Sequence, residues 1–371
     1  MLTKNVPFFN YSFLFESQKE HFLKSFQEVG ARGAFITQRD LSDFEQHLAE
    51  FSGAKYAVGV ANATDALEML IAAAGIGSGD EVIFCSHTMV ATASAIHVNG
   101  AIPVPVEARA DHLIDPTSIE QAITLRTKAI MPTQLNGRTC DMAIVQKIAD
   151  KHNLLIFEDS AQALGSRFKG RHAGTFGVGG CISFYPAKIL GCLGDGGAVL
   201  CNDREIYDKI MLMRDHGRNY ETGDIDLWGR NSRLDNLQAA FLDLQFKEYD
   251  QVITRRRNIA EIYQKRLGNL EQLILPPAPD SAPDHFDVFQ NYEIEAERRD
   301  ELKEYLAEQG IGTLIQWGGK AVHQFEKLGF VQSLPYTEML FEKILMIPMN
   351  LSLSDDDVHY VADRIIAFYQ K

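Results

Sequence analysis

Long apolar runs are missing from this sequence: none reaches the roughly 18 uncharged residues a helix needs to cross a bilayer, so a membrane-spanning helix is excluded. The first twenty residues, MLTKNVPFFNYSFLFESQKE, carry aromatics but no continuous apolar core and no small-residue cleavage site. No signal peptide is expected. Cysteine is scarce. The five thiols, Cys85, Cys140, Cys181, Cys192 and Cys201, are odd in number and include no close pair, which argues against a disulfide framework or a zinc motif. Reduced, buried thiols in a cytoplasmic protein are the expectation. Positive charge is in deficit as well. With 36 Lys and Arg against 50 Asp and Glu, the net charge is −14, which disfavours nucleic acid and anionic membrane surfaces as partners. Repeats and low-complexity tracts are absent too.

What is present suits a globular chain of more than one domain: 371 residues, 46% hydrophobic and 23% charged. A helix is expected around Ser17–Val29. A turn at Gly33–Thr37 leads to a second helix with Leu41, Phe44, Leu48 and Phe51 on one face. From Lys55 onward, short apolar strands alternate with helices. Strands read at Tyr56–Val60, Glu81–Cys85, Ile102–Val106, Lys128–Leu135 and from Leu154 to Asp159. Helices read at Ala66–Ala74 (with Thr64 as its N-cap), Val90–Val98, Pro116–Ile123 and Met142–His152. This rhythm predicts a mostly parallel α/β sheet. A helix at Asp203–Met213 follows, then a long amphipathic helix from Leu242 to about Leu267. Pro276, Pro277 and Pro279 mark a linker to a smaller unit. That unit has strands at Gln290–Ile294 and Ile311–Trp317, and helices at Arg299–Gln309 and Asp355–Tyr369.

The stretch from Phe157 to Asn202 carries the chemistry. Leu154-Leu155-Ile156-Phe157 delivers Glu158 and Asp159 to a strand end, where an α/β sheet places its ligands. A second strand, Cys181–Tyr185, brings Ser183 and then Lys188, which enters a run with Gly191, Gly194, Gly196 and Gly197. Singly, such residues are ordinary: a lysine after a strand is usually solvated, and an Asp at a strand end is usually a cap. In this order they meet the needs of pyridoxal phosphate (PLP). The lysine bonds the cofactor aldehyde, the Asp keeps the pyridine nitrogen protonated, and the Ser binds phosphate.

EDSAQALGS…SFYPAKILGCLGDGGAV resembles the cofactor signature of the DegT/StrS family of nucleotide-sugar aminotransferases, and the likeness extends over roughly residues 33–330. The resemblance implies the PLP-transferase fold type I of the aspartate-aminotransferase kind. That is a large α/β domain (1–245, with an amino-terminal segment 1–32) containing a mostly parallel seven-stranded sheet flanked by helices, and a small α+β domain (246–371). It implies Lys188 and Asp159 as catalytic residues. Ala63, Thr64, Met89, Gln162, Ser183 and, through NSRLDNLQAA, Asn231 would join them around the cofactor. Asn231 would reach the cofactor of a partner subunit, making a homodimer with a shared active site. Arg233, Lys320 and His323 are candidates for the substrate. No metal is expected.

Three departures from the family pattern stand out. Ala63 replaces a Gly, Met89 replaces an aromatic, and 316–323 keeps only the last His of a His-Tyr-Pro…His pattern. Dehydratase-type members carry His at the lysine position, so Lys188 favours amino transfer, with glutamate as the expected donor and a 3-keto or 4-keto nucleotide sugar as the acceptor. Surface polysaccharide or glycoside biosynthesis is the implied setting. The competing expectation is a regulatory protein that binds PLP or a nucleotide sugar and does no chemistry. A Rossmann dehydrogenase fits poorly, because GCLGDGG lacks the G-x-G-x-x-G order.

Overall fold

The computed structural model describes residues 4–370. Seven strands form its main sheet: β1 (Tyr56–Val60), β2 (Glu81–Cys85), β3 (Ile102–Val106), β4 (Thr127–Met131), β5 (Leu155–Asp159), β6 (Gly179–Ser183) and β7 (Gly197–Cys201). Their spatial order is β1-β7-β6-β5-β4-β2-β3. Neighbours from β6 to β3 run parallel, while β7 is antiparallel to both β1 and β6. This is the mostly parallel seven-stranded sheet expected from the sequence. Strands covered on both faces are buried throughout, as parallel β2 and antiparallel β7 are at every residue.

The connecting helices begin where the sequence supplies caps. Asp115, Asp141 and Asp203 each accept main-chain N–H bonds at the starts of Pro116–Ala122, Met142–His152 and Arg204–Met213. The helix after β1 starts earlier than its apolar pattern suggests. It spans Ala63–Ala73, and Asn62 is its cap, accepting from the Asp65 N–H. Thr64 therefore lies in the first turn and is not the N-cap, because Asn62 alone has the extended backbone a cap requires.

Other expected elements differ in extent or form. The long helix divides into Asn236–Phe246 and Tyr249–Leu267, and the helix expected around Ser17–Val29 runs Lys19–Arg32, with a separate short helix Tyr11–Ser17 before it. The strand expected at Ile311–Trp317 does not form; single bridges tie Ile311 to Val6 and Leu314 to Met346, and Gln316–Gly319 is a 3-10 turn. Paired glycines and a left-handed Trp317 (φ 48°) break the extended path.

A second, three-stranded antiparallel sheet comprises β8 (Leu273–Ile274), β9 (Tyr292–Ala296) and β10 (Ile344–Ile347), ordered β8-β9-β10. It shares an apolar core with Ile259, Tyr263, Leu302, Leu306, Val361 and Ile365. The helix Tyr249–Leu267 serves both sheets: Tyr249 and Ile253 pack with the main-sheet core, and Ile259 to Leu267 with the second. Among the described residues no helix is long and apolar enough to cross a membrane. All five cysteines are buried and unpaired.

Candidate active site

Each parallel strand ends on the same sheet edge, and the turns that follow surround one cleft of about 580 Å³. β1 leads to Asn62, Ala63 and Thr64; β2 to Thr88 and Met89; β4 to Thr133; β5 to Asp159 and Gln162; β6 to Ser183, Tyr185 and Lys188. Asp195 and Gly196 enter just before antiparallel β7, and Trp317 comes from the 3-10 turn. Gly197 is dictated by this crowding, since a Cβ there would lie 2.4 Å from the Asn62 carbonyl carbon and 2.6 Å from the Ala63 nitrogen.

Asp159 is 4% exposed, and a chain of hydroxyls fixes its carboxylate. Thr92 donates to Oδ2 at 2.6 Å, the Ala161 N–H to Oδ1 at 3.2 Å, and Thr88 and Thr133 extend the chain behind Thr92. These donors fix the orientation of the carboxylate at the floor of the cleft.

Lys188 is partly buried. Burial pushes its ammonium below the usual lysine range, and the Asp159 charge and the Cys181 thiol oppose that shift only in part. An amine whose proton is loosened in this way is closer to being a nucleophile and a base.

Gln162 has its amide oxygen occupied, accepting from the Asn136 N–H at 2.9 Å and the Asn291 amide at 3.3 Å. Its amide nitrogen, which has no protein acceptor among the described residues, is left to the cleft. Behind it lies a buried polar network. Asn136 donates to Glu293, Gln316 donates to both, and His112 hydrogen-bonds Glu293 at 2.8 Å and Glu295 at 3.4 Å. Burial would lower the His112 pKa, but the two glutamates raise it to about 9, so it is the countercharge of the network. His87 beside it is held down to about 4 by burial and stays neutral. His87, His112 and Glu293 bring ligand atoms within 4.8 Å of one another, yet both His112 nitrogens are already spent on glutamates.

Other sequence candidates fall elsewhere. His323 is buried away from the cleft lining, with Nδ1 2.7 Å from the Ser86 hydroxyl and Nε2 3.2 Å from Glu338. The 3-10 turns fold it inward, and Trp317 is the residue of this stretch that lines the cleft. Lys320 is exposed and does not line the cleft. Asn231 is exposed outside the chain's own cleft, and Arg233 is paired with Asp215 at 2.6 Å. Met89 lines the cleft and is half exposed.

Residues 16–366 match the DegT/DnrJ/EryC1/StrS aminotransferase family. The chain belongs to that family. It is 36% identical to the pleiotropic regulatory protein of Geobacillus stearothermophilus over 99% of both chains. It is also 36% identical to the dTDP-3-amino-3,4,6-trideoxy-alpha-D-glucose transaminase of Streptomyces venezuelae, over 98% of this chain and 96% of that one. The crystal structure of S. venezuelae DesV in complex with a ketimine intermediate superposes with a TM-score of 0.94, at 36% identity and full coverage of both chains. The protein is a PLP-dependent aminotransferase.

The residues present fit the cofactor. The Ala63 and Thr64 N–H groups lie in the first turn of a helix, where main-chain donors lack intrahelical partners and the dipole favours an anion, and both residues share the cleft with Ser183. PLP, when bound, supplies the electron sink and carries the amino group. The residues that would hold it are Ala63, Thr64 and Ser183 for the phosphate, Asp159 for the ring nitrogen and Lys188 for the reacting carbon, all of which line the one cleft.

Proposed function

We propose that this aminotransferase moves an amino group from glutamate to the 3-keto carbon of a nucleotide-linked sugar, in the making of a surface polysaccharide or a glycoside. The observation that carries the reading is the meeting of Asp159, Gln162, Ser183 and Lys188 in one cleft. In this reading Lys188 would hold the cofactor and move the proton at the donor α-carbon, and Gln162 would donate to the ring hydroxyl. The 3-keto position is favoured by the similarity to the Streptomyces transaminase, a 3-amino sugar enzyme; 4-keto sugars are the acceptors to compare with it.

The working unit in this reading is a homodimer, and two observations support it. Lys188 is the single cation among the described residues that line the cleft, which also holds Asp65, Asp159 and Asp195. A nucleotide diphosphate needs more positive charge than that. Asn231 lies on a loop whose Tyr220, Ile225 and Trp228 are exposed (Trp228 at 98%), apolar surface that a second copy would cover. The five buried free thiols suit a reducing compartment, and a cytoplasmic location is part of the proposal.

The name of the Geobacillus relative favours a second reading, a regulator that binds without turnover. Adding glutamate to the PLP-loaded protein separates the two. Loss of the visible band, with 2-oxoglutarate released in equal amount, supports transamination; an unchanged band supports the regulator.

A further inference from the structure

The peptide groups on either side of Lys188 are both held by one side chain more than a hundred residues away in the chain. Gln290, 5% exposed, accepts from the Ile189 N–H at 2.9 Å through Oε1 and donates to the Ala187 carbonyl at 3.0 Å through Nε2. These are the main-chain groups on either side of Lys188. Both bonds are buried or nearly so, where an unmade partner is costly.

Gln290 is itself held rigidly. Arg256, buried and with no carboxylate partner, donates to the carbonyls of Phe289, Gln290 and Met349 at 2.9–3.0 Å. On the other side the Asn136–Gly137 turn presses against this segment. A Cβ at Gly137 (φ +87°) would lie 2.6 Å from the Gln290 nitrogen, and the Val288 N–H donates to the Gly137 carbonyl at 2.9 Å. The next residue, Asn291, turns the opposite way and donates to Asn136 and Gln162.

From this geometry we infer that Gln290 is a positioning residue for the aminotransferase reaction, fixing Lys188 through the peptide groups that flank it. Gln290 does not line the cleft. It limits how far the Lys188 main chain shifts when the side chain moves between bonding the cofactor and shuttling a proton, steps that demand placement to within a fraction of an ångström. The inference rests on the reading of Lys188 as the residue that bonds PLP.

The test uses the PLP-loaded full chain and Gln290→Ala. The expected result is a fall in kcat of about 10–100-fold with KM for glutamate within about twofold, as for an interaction that matters in the reacting state. The pH midpoint of the cofactor's visible absorbance should move by about one unit, since the band reports on the lysine–cofactor bond. Should Gln290→Ala not fold, Gln290→Glu keeps the acceptor for Ile189 and loses the donor to Ala187, and a smaller shift in the same direction is expected. A variant with a lower melting temperature, an unmoved midpoint and kcat within twofold of wild type would show Gln290 to be structural only. Borohydride trapping of PLP on a lysine other than Lys188 would overturn both this inference and the reading beneath it.

Discussion

Along the sheet edge, Asp159, Ser183 and Asn62 sit at the ends of strands or the start of a helix, and a short regular path fixes where each can be. Across the cleft Trp317 sits in a left-handed turn between glycines, and its neighbour Gln316 reaches back to Asn136 and Glu293. One side is positioned by backbone geometry that recurs in any parallel sheet; the other depends on side-chain contacts particular to this chain. The sheet edge is therefore where the chemistry common to the family belongs, and the 316–323 loop is where acceptor choice can vary without disturbing it.

Asp159→Asn should break the sheet-edge side most severely. The ring nitrogen would lose its anionic partner, and kcat should fall by about 10²–10⁴-fold with glutamate, measured in the half-reaction. Full activity in this variant would remove Asp159 from its role.

The network behind Gln162 gives a pH signature next in size. The His112 pKa is raised on folding from 6.5 to about 9, so its contribution to stability is complete below pH 6.5 and lost as pH rises through 9. Over that window wild-type protein should lose about 3 kcal/mol that His112→Gln does not, read from denaturant midpoints at a series of pH values.

A smaller effect is expected of Thr92→Val, which deletes the 2.6 Å hydroxyl bond to Asp159 at nearly constant volume. PLP affinity should fall about tenfold, the usual size for a hydrogen bond to a charged group. His323→Ala sharpens the contrast from the other side. It should cost about 1–2 kcal/mol of stability through the lost bonds to Ser86 and Glu338, with kcat within twofold. A large loss of kcat at unchanged stability would place His323 back at the substrate.

These contrasts match what the amino-acid sequence made legible. The strand endings at Asp159 and Ser183, with Lys188 beyond them, were readable because apolar runs of strand length followed by polar turns leave little freedom over where the next side chain lies. Thr92 was not, since it acts on Asp159 from 67 residues away and looks like any helix residue. Gln290 was read only as the start of a strand, although its partners Ala187 and Ile189 are more than a hundred residues away. The inward turn of His323 was not legible, because a loop motif gives residue types without the direction each one faces. The Thr64 cap failed on a smaller point: Asn62 and Thr64 are both good caps by type, and only the extended backbone at 62 decides between them.

The central claim is that Lys188 bonds PLP in this cleft. Its most direct test is borohydride reduction of the loaded protein, followed by peptide mass analysis. The account predicts a pyridoxyl group on the peptide containing Lys188 and on no other lysine, and none at all in Lys188→Ala. A label on a different lysine, or an unlabelled Lys188 in protein that binds PLP, would contradict it.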